Sequence, residues 1–277
     1  MRELVVQASD WLAERGVPSP RLDADRMLAH ALGLQRLDLY LDLDRPLEPD
    51  EVTRFRELVR RRGRREPLAY VLGSWSFRGL ELATDARALV PRPETEWLVE
   101  RALARLPELE APRVLDVGTG SGAIAIAIAV ELPGAVVTAV DLSPDALELA
   151  TQNAASNGVQ VRFLESDLLA AVAGATFDLV LANLPYVAEG AAVDAEVERF
   201  EPALAVFAQD SGRAVIERLL TTVSSVLAPG GLVALELGDT QAAWAVARLA
   251  ALGFEDASAE RDLAGVERLA FARQPTS

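Results

Sequence analysis

The sequence contains no lysine and no cysteine, and His30 is its single histidine. Without lysine there is no Schiff base to a carbonyl substrate or to pyridoxal phosphate, and no P-loop lysine. Without cysteine, thiolate nucleophiles, disulfides, zinc ribbons and iron–sulfur clusters are excluded. One histidine does not build a two- or three-histidine metal centre, so no metal site is expected. It serves a Ser–His pair only if the fold brings it to an activated serine. The chemistry left is that of Asp, Glu, Asn, Ser, Thr, Tyr, the backbone and whatever a bound cofactor supplies. No apolar run reaches the roughly 18 residues of a membrane span, and Met1-Arg2-Glu3 does not open a secretory signal. A cytoplasmic protein with no membrane segment is therefore expected.

With 27 arginines against 42 carboxylates, the 277 residues carry a formal net charge of −15. The charge is uneven: residues 1–80 sum to +1 and residues 81–277 to −16. The first part reads as helices. Leu4, Val5, Ala8, Trp11 and Leu12 recur at helical spacing before Gly16 and Pro18. A second helix is expected over Arg21–Leu32, stopped by Gly33, and a third from Pro49 into the arginine run Arg60, Arg61, Arg62, Arg64 and Arg65. From Arg113 the pattern alternates. Strands are expected at Arg113–Val117, Ala135–Val140, Val161–Leu164, Phe177–Ala182 and Leu232–Leu237, with helices at Gly122–Glu131, Pro144–Asn157, Ser211–Leu227 and Thr240–Leu252. Such alternation means a parallel sheet covered by helices, an α/β fold. The last segment, Val266–Ala272, follows a turn at Leu263–Gly265 and predicts an antiparallel hairpin.

The residues that carry chemistry fall at the ends of these strands. Val114-Leu115-Asp116-Val117 runs into Gly118-Thr119-Gly120-Ser121-Gly122, where glycines let the backbone approach a ligand and a helix begins. The spacing is not the G-x-G-x-x-G of dinucleotide binders. The next strand ends in Asp141, placed to accept hydrogen bonds from both hydroxyls of a ribose. Asp167 follows the third strand and can accept from an adenine amino group with Leu168 against the ring, although a helix cap is the plain alternative. Strand, loop, helix, strand and acid in this order favour a nucleoside over a tight turn beside an unrelated aspartate.

The strand Phe177–Ala182 stops at Asn183-Leu184-Pro185-Tyr186, which resembles the Asn-Pro-Pro-Tyr motif of amino-group methyltransferases. Those enzymes use S-adenosylmethionine on a planar, conjugated NH₂. The Asn183 side-chain oxygen and the Leu184 backbone carbonyl can take its two hydrogens and aim its lone pair, with Pro185 stiffening the turn and Tyr186 stacking on the planar group. DNA, RNA and protein substrates share this motif. A nucleic-acid substrate calls for a cationic track, whereas Glu189, Asp194, Glu196, Glu198 and Glu201 follow Tyr186.

Over nearly its full length the chain resembles the peptide chain release factor glutamine-N5 methyltransferases, the HemK/PrmC family. The match is carried by Glu66-Pro67-Leu68-Ala69-Tyr70-Val71-Leu72-Gly73 and Val90-Pro91-Arg92-Pro93-Glu94-Thr95-Glu96. It continues through the glycine loop, Asp141, Ser166-Asp167-Leu168, Asn183 to Tyr186, Glu201-Pro202, Leu227-Ala228-Pro229-Gly230-Gly231 and Leu235-Glu236-Leu237-Gly238. The Arg-Pro-Glu-Thr-Glu segment is the most diagnostic. The resemblance implies a Rossmann-like, seven-stranded S-adenosylmethionine-dependent domain preceded by a small all-α domain. It divides the chain into a helical substrate-docking domain (1–73), a linker with a β-hairpin (74–97) and a methyltransferase domain (98–277). It implies methyl transfer to the glutamine amide of a Gly-Gly-Gln motif in release factors. A monomer with no direct nucleic-acid partner is expected, the latter from the charge. The alternative is an adenine-N6 methyltransferase acting on RNA or DNA. Two departures stand out: Leu184 takes the place of the motif's first proline, and Ala208-Gln209-Asp210-Ser211-Gly212 replaces the usual Gly-Gly-x-Asp-Gly.

Three features read more plainly. His30 is expected to be a surface or packing residue, and the arginine run a solvated helix end. Trp75 and Phe77 either touch cofactor or substrate or fill apolar space.

Overall fold

The computed structural model describes residues 1–41 and 45–276. The chain forms two compact units, one of Met1–Ser74 with Val193–Phe200, the other of Trp75–Ala192 with Glu201–Ser277.

The first unit is built on α1 (Arg2–Ala13), α2 (Pro20–Leu32), α3 (Pro49–Gly63) and α4 (Leu68–Leu72). Val5, Ala8 and Leu12 face inward as their spacing requires, and α2 closes on Gly33 at φ 66°, the left-handed position a glycine fills without strain. α3 opens with a reciprocal pair between Glu48 and Glu51 that satisfies free N–H groups at its start. Its other end differs from the expected solvated cations. Arg62 is 4% exposed, 2.7 Å from Asp23 and 2.9 Å from Glu196, and donates to the Glu66 carbonyl. Arg61 pairs with Glu66 and Arg65 with Glu196. Sequence could not show this, because the acids lie 39 and more residues away from Arg62 or Arg65 along the chain.

Burial pushes the Asp23 carboxyl above its ordinary range, and the Arg62 guanidinium acts against that rise. Removing the cation strands a buried carboxylate. Arg62→Met is therefore expected to destabilise the protein by about 3–5 kcal/mol, with Arg62→Met/Asp23→Leu recovering most of the loss. Urea unfolding of the full chain checks this, and a single variant that melts with the wild type would refute the buried-pair account.

In the second unit, β1 (Ser74–Phe77) and β2 (Leu80–Ala83) make a two-stranded hairpin, followed by α5 (Pro93–Leu103). The linker expected to end at Trp97 thus already contains the first turns of a helix, started by Pro93 at its first position. Then β3 (Arg113–Val117), α6 (Ala123–Glu131), β4 (Val136–Asp141), α7 (Pro144–Ser156), β5 (Arg162–Glu165) and β6 (Phe177–Asn183) follow in alternation. A short strand pair, β7 (Val187–Ala188) with β8 (Phe207–Ala208), brackets α8 (Ala195–Phe200, in the first unit) and α9 (Ala203–Val206). The chain ends with α10 (Gln209–Gly212), α11 (Ala214–Thr222), β9 (Leu227–Glu236), α12 (Ala242–Ala251), β10 (Glu255–Arg261) and β11 (Glu267–Arg273). The helix expected from Ser211 starts three residues later, because Asp210 and Ser211 hold φ of 52° and 55° and break the spiral.

The main sheet has seven strands in the order β10-β11-β9-β6-β3-β4-β5. β5, β4, β3, β6 and β9 are parallel, and the terminal hairpin is antiparallel, as its turn predicted. Helices cover both faces. α5 and α6 bury Leu98, Val99 and Ile128 with Leu181 and Phe271, while α11 and α12 bury Leu219 and Leu249 with Val180 and Val233. Phe77 and Leu82 belong to the first of these clusters, so Phe77 is core and not a ligand contact. Sheet order runs from β3 through β4 to β5 on one side and from β6 to β9 on the other. That makes the β3–β6 boundary a topological switch point, where open α/β sheets hold ligands. Among the described residues, no helix is long and apolar enough to cross a membrane.

Candidate active site

The switch point opens into a cleft of about 290 Å³, close to the lower end of the range for ligand cavities. Its lining joins the loop after β3, the ends of β4 and β6, Asp167 and Leu168, and the Ala88–Arg92 segment ahead of α5.

Gly118 holds φ 74°, and a Cβ there would lie 2.8 Å from Leu184 Cδ2. Two independent constraints therefore demand glycine. Its N–H and that of Thr119 donate to the Val140 carbonyl at 2.8 and 3.0 Å, tying the loop to β4. Gly120 donates to Asp141 Oδ2 at 2.8 Å, and Ser143 N donates to Asp141 Oδ1 at 2.9 Å. Both carboxylate oxygens are thus held by backbone donors, and each keeps a second lone pair. Ser121 lines the cleft with its side chain buried, and its carbonyl accepts from Asn153. Gly122 does not line it. It caps α6 at φ 84°, where a Cβ would press on Ile126 and Ala150, so its absent side chain serves α6–α7 packing.

Beneath the loop, Asp116 is fully buried, accepting from the Thr119 hydroxyl at 2.6 Å and the Ala125 N–H at 3.2 Å on Oδ2. Among the described residues, its Oδ1 has no hydrogen-bond partner. Burial pushes this carboxyl up to about 7. Asp167 lines the cleft and takes a 2.7 Å hydrogen bond from Arg218 on Oδ2, leaving Oδ1 for a second donor. It is not a helix cap: Ser166 Oγ performs that task for Ala171 N. Leu168 sits at φ 50°, a strained value for leucine, against the cleft.

Asn183 ends β6 beside Glu236, its register partner at the end of β9. Its amide donates to Thr95 Oγ1 at 3.1 Å, and that hydroxyl donates to Glu236 Oε2 at 2.7 Å. Glu236 is 2% exposed, and burial raises its carboxyl to about 7. Leu184 is buried in the core cluster against Gly118, which anchors the turn where the family motif has proline. Pro185 lines the cleft. Tyr186 stands outside that lining, with its carbonyl accepting from Gln241 at 3.0 Å and its phenol raised to about 12, chiefly by burial and then by Glu236. Thr95, Arg92 and Glu236 carry no assignment from sequence, although all three sit in segments that carry the resemblance, Arg92 and Thr95 in Val90–Glu96 and Glu236 in Leu235–Gly238. His30 is exposed on α2 in the first unit and takes no part.

Residues 3–73 match the family model of the PrmC N-terminal domain and residues 95–216 that of the methyltransferase small domain. The release factor glutamine methyltransferase of Deinococcus radiodurans is 44% identical over 276 residues, spanning 99% of this chain and 98% of its own. That of Chlorobaculum tepidum is 41% identical, over 96% and 94%. The chain belongs to the release factor glutamine methyltransferase family. Within this family member the fold also matches more distant enzymes. A methyltransferase from Pyrococcus furiosus superposes with a TM-score of 0.55 at 22% identity, over 72% of this chain and 91% of that one. A T. thermophilus 16S rRNA N2 G1207 methyltransferase, solved with AdoMet and guanosine, gives 0.54 at 22%, over 73% and 49%. At that identity the likeness speaks for the methyltransferase fold alone.

Proposed function

We propose that this chain transfers a methyl group from S-adenosylmethionine to the side-chain amide nitrogen of the glutamine in the Gly-Gly-Gln motif of peptide chain release factors. The observation that carries this is the convergence, in one cleft, of the β3 glycine loop, Asp141, Asp167 and the Asn183-Leu184 turn.

The residues fit the cofactor. Gly118, Thr119, Gly120 and Ser121 offer a close backbone approach, and Asp141 keeps two lone pairs for ribose hydroxyls. Asp167 has an oxygen left for an adenine amino group with Leu168 beside it. S-adenosylmethionine supplies a methyl group already activated by the sulfonium it leaves. The chain's own task is positioning. A carboxamide nitrogen is planar, and its lone pair is delocalised, so it attacks only when held. Asn183 Oδ1 and the Leu184 carbonyl each accept one of its N–H groups and fix its plane, an arrangement of preorganised dipoles. Pro185 and the buried Leu184 side chain stiffen this turn. The nitrogen releases its extra proton to water after bond formation, so neither lysine, cysteine nor a second histidine is needed.

The helical part, residues 1–73, docks the release factor, while residues 98–277 carry the chemistry. The enzyme works as a monomer in the cytoplasm, where translation ends. Nucleic acid is a poor substrate for residues that sum to −16. Part of that charge is offset from outside those residues, where Arg62 and Arg65 hold Glu196. The test is competition. Labelled S-adenosylmethionine is offered with a release factor, duplex DNA and ribosomal RNA together. Label is expected in protein, and label in either nucleic acid would favour the adenine-N6 alternative.

A further inference from the structure

We infer that Thr95 and Glu236 are positioning residues that set which end of the Asn183 amide faces the substrate. The inference rests on the role proposed for Asn183 above and adds to it the device that makes that role possible.

An asparagine amide has an acceptor end and a donor end of nearly the same shape. Turned one way, Asn183 presents Oδ1 to a substrate NH₂ and binds it. Turned the other way, it presents its own NH₂, and donors meet donors. The surroundings decide between these. Glu236, as a carboxylate, only accepts. Thr95 has one hydroxyl proton, and at 2.7 Å from Oε2 that proton goes to Glu236. The Thr95 oxygen is left with acceptor capacity alone, so the group 3.1 Å away must be the Asn183 NH₂. The Glu236 carboxylate, register partner of Asn183, lies on the same side and favours a donor there. The Thr95 hydrogen bond and this neighbouring charge draw the donor end of the amide to the buried side and leave Oδ1 for the substrate.

The fold builds this arrangement from three elements. Thr95 lies in the first turn of α5 and is 4% exposed. Asn183 and Glu236 are register partners at the ends of β6 and β9. Glu94 of α5, Arg268 of β11 and Tyr186 act electrostatically with Glu236, and the single guanidinium among them is paired with Asp262 at 3.2 Å, so among the described residues Glu236 has no ion-pair partner of its own. A carboxyl buried in this way is raised to about 7. Once protonated, Glu236 can donate to Thr95, whose hydroxyl then turns to donate to Asn183 Oδ1. The amide reverses, and the substrate loses its acceptor.

The experiment compares Thr95→Val, Thr95→Ser and Glu236→Gln in the full chain. It measures S-adenosylmethionine affinity by calorimetry and separates kcat from KM for a release factor across pH 5.5–9. Thr95→Val keeps the shape and loses the hydroxyl; its kcat is expected to fall about 100-fold, with cofactor affinity within about threefold of wild type. Thr95→Ser restores the hydroxyl and most of the rate. The wild-type kcat falls on the acid side of about pH 7, and Glu236→Gln lacks that limb. A Thr95→Val enzyme at wild-type kcat, a Thr95→Ser enzyme as slow as Thr95→Val, or a loss confined to cofactor affinity overturns the inference. If Asn183→Ala is fully active, the role proposed for Asn183 fails and takes this inference with it. If Asn183→Ala is inactive while Thr95→Val is unaffected, only the positioning inference fails.

Discussion

Asn183→Ala is expected to bind S-adenosylmethionine within about threefold of the wild type and to lose methyl transfer by about 10²–10³-fold, the effect of deleting one preorganised polar group in an active site. The separation of the two effects follows from the geometry. The glycine loop and Asp141 form their hydrogen bonds with each other and with the β4 carbonyl, without using the Asn183 side chain. Asn183 instead bonds with Thr95, away from the loop. On the proposed roles, deleting its amide leaves the cofactor's side of the cleft in place and removes one of two acceptors for the substrate nitrogen. Leu184 retains the other, as a backbone carbonyl that no substitution removes. Calorimetry with the cofactor and single-turnover transfer to a release factor give the two numbers. Equal losses in both would show that Asn183 belongs to cofactor binding alone.

Asp141→Ala is expected to do the opposite. Its carboxylate is oriented by the N–H groups of Gly120 and Ser143, so its remaining lone pairs are presented without an ordering penalty. Hydrogen bonds to a charged acceptor are each worth about 1.5–3 kcal/mol. Losing two of them, offset in part by water, weakens cofactor binding by about 100-fold. The rate at saturating cofactor and release factor stays within about threefold to fivefold, because the Asn183 turn is untouched. Asp141→Asn, which keeps one acceptor oxygen, falls between the two. An Asp141→Ala enzyme with unchanged cofactor affinity would mean that this carboxylate only braces the glycine loop.

Much of this site was legible in the sequence, for a physical reason. The glycine loop, Asp141 and the Asn183 turn each sit within a few residues of a strand end, and strand ends announce themselves by apolar runs stopped at polar or glycine residues. The expected strand Arg113–Val117 is the observed β3, and the expected Phe177–Ala182 ends one residue short of β6. What stayed hidden depends on pairing between distant segments. Thr95 lies 88 residues before Asn183 and 141 before Glu236, and it takes both the β6–β9 register and the packing of α5 on the sheet to bring them together. Arg62 looked like a solvent cation for the same reason, its carboxylates lying in α2 and α8. Gly122 reads as part of the cofactor loop in sequence, because local pattern cannot tell a glycine facing a ligand from one facing a neighbouring helix. Pro91 and Pro93 suggested a linker, although proline at a first helical position also starts a helix such as α5.

The absence of lysine, cysteine and a second histidine is consistent with catalysis by orientation, and the central claim is that the oriented group is a glutamine side-chain amide. The most direct measurement is fragment mass spectrometry of a release factor after incubation with this enzyme and S-adenosylmethionine. The account predicts one added methyl group, on the side-chain nitrogen of the Gly-Gly-Gln glutamine, and none when that glutamine is replaced by alanine. A methyl group found on another residue, or retained after the replacement, would contradict it.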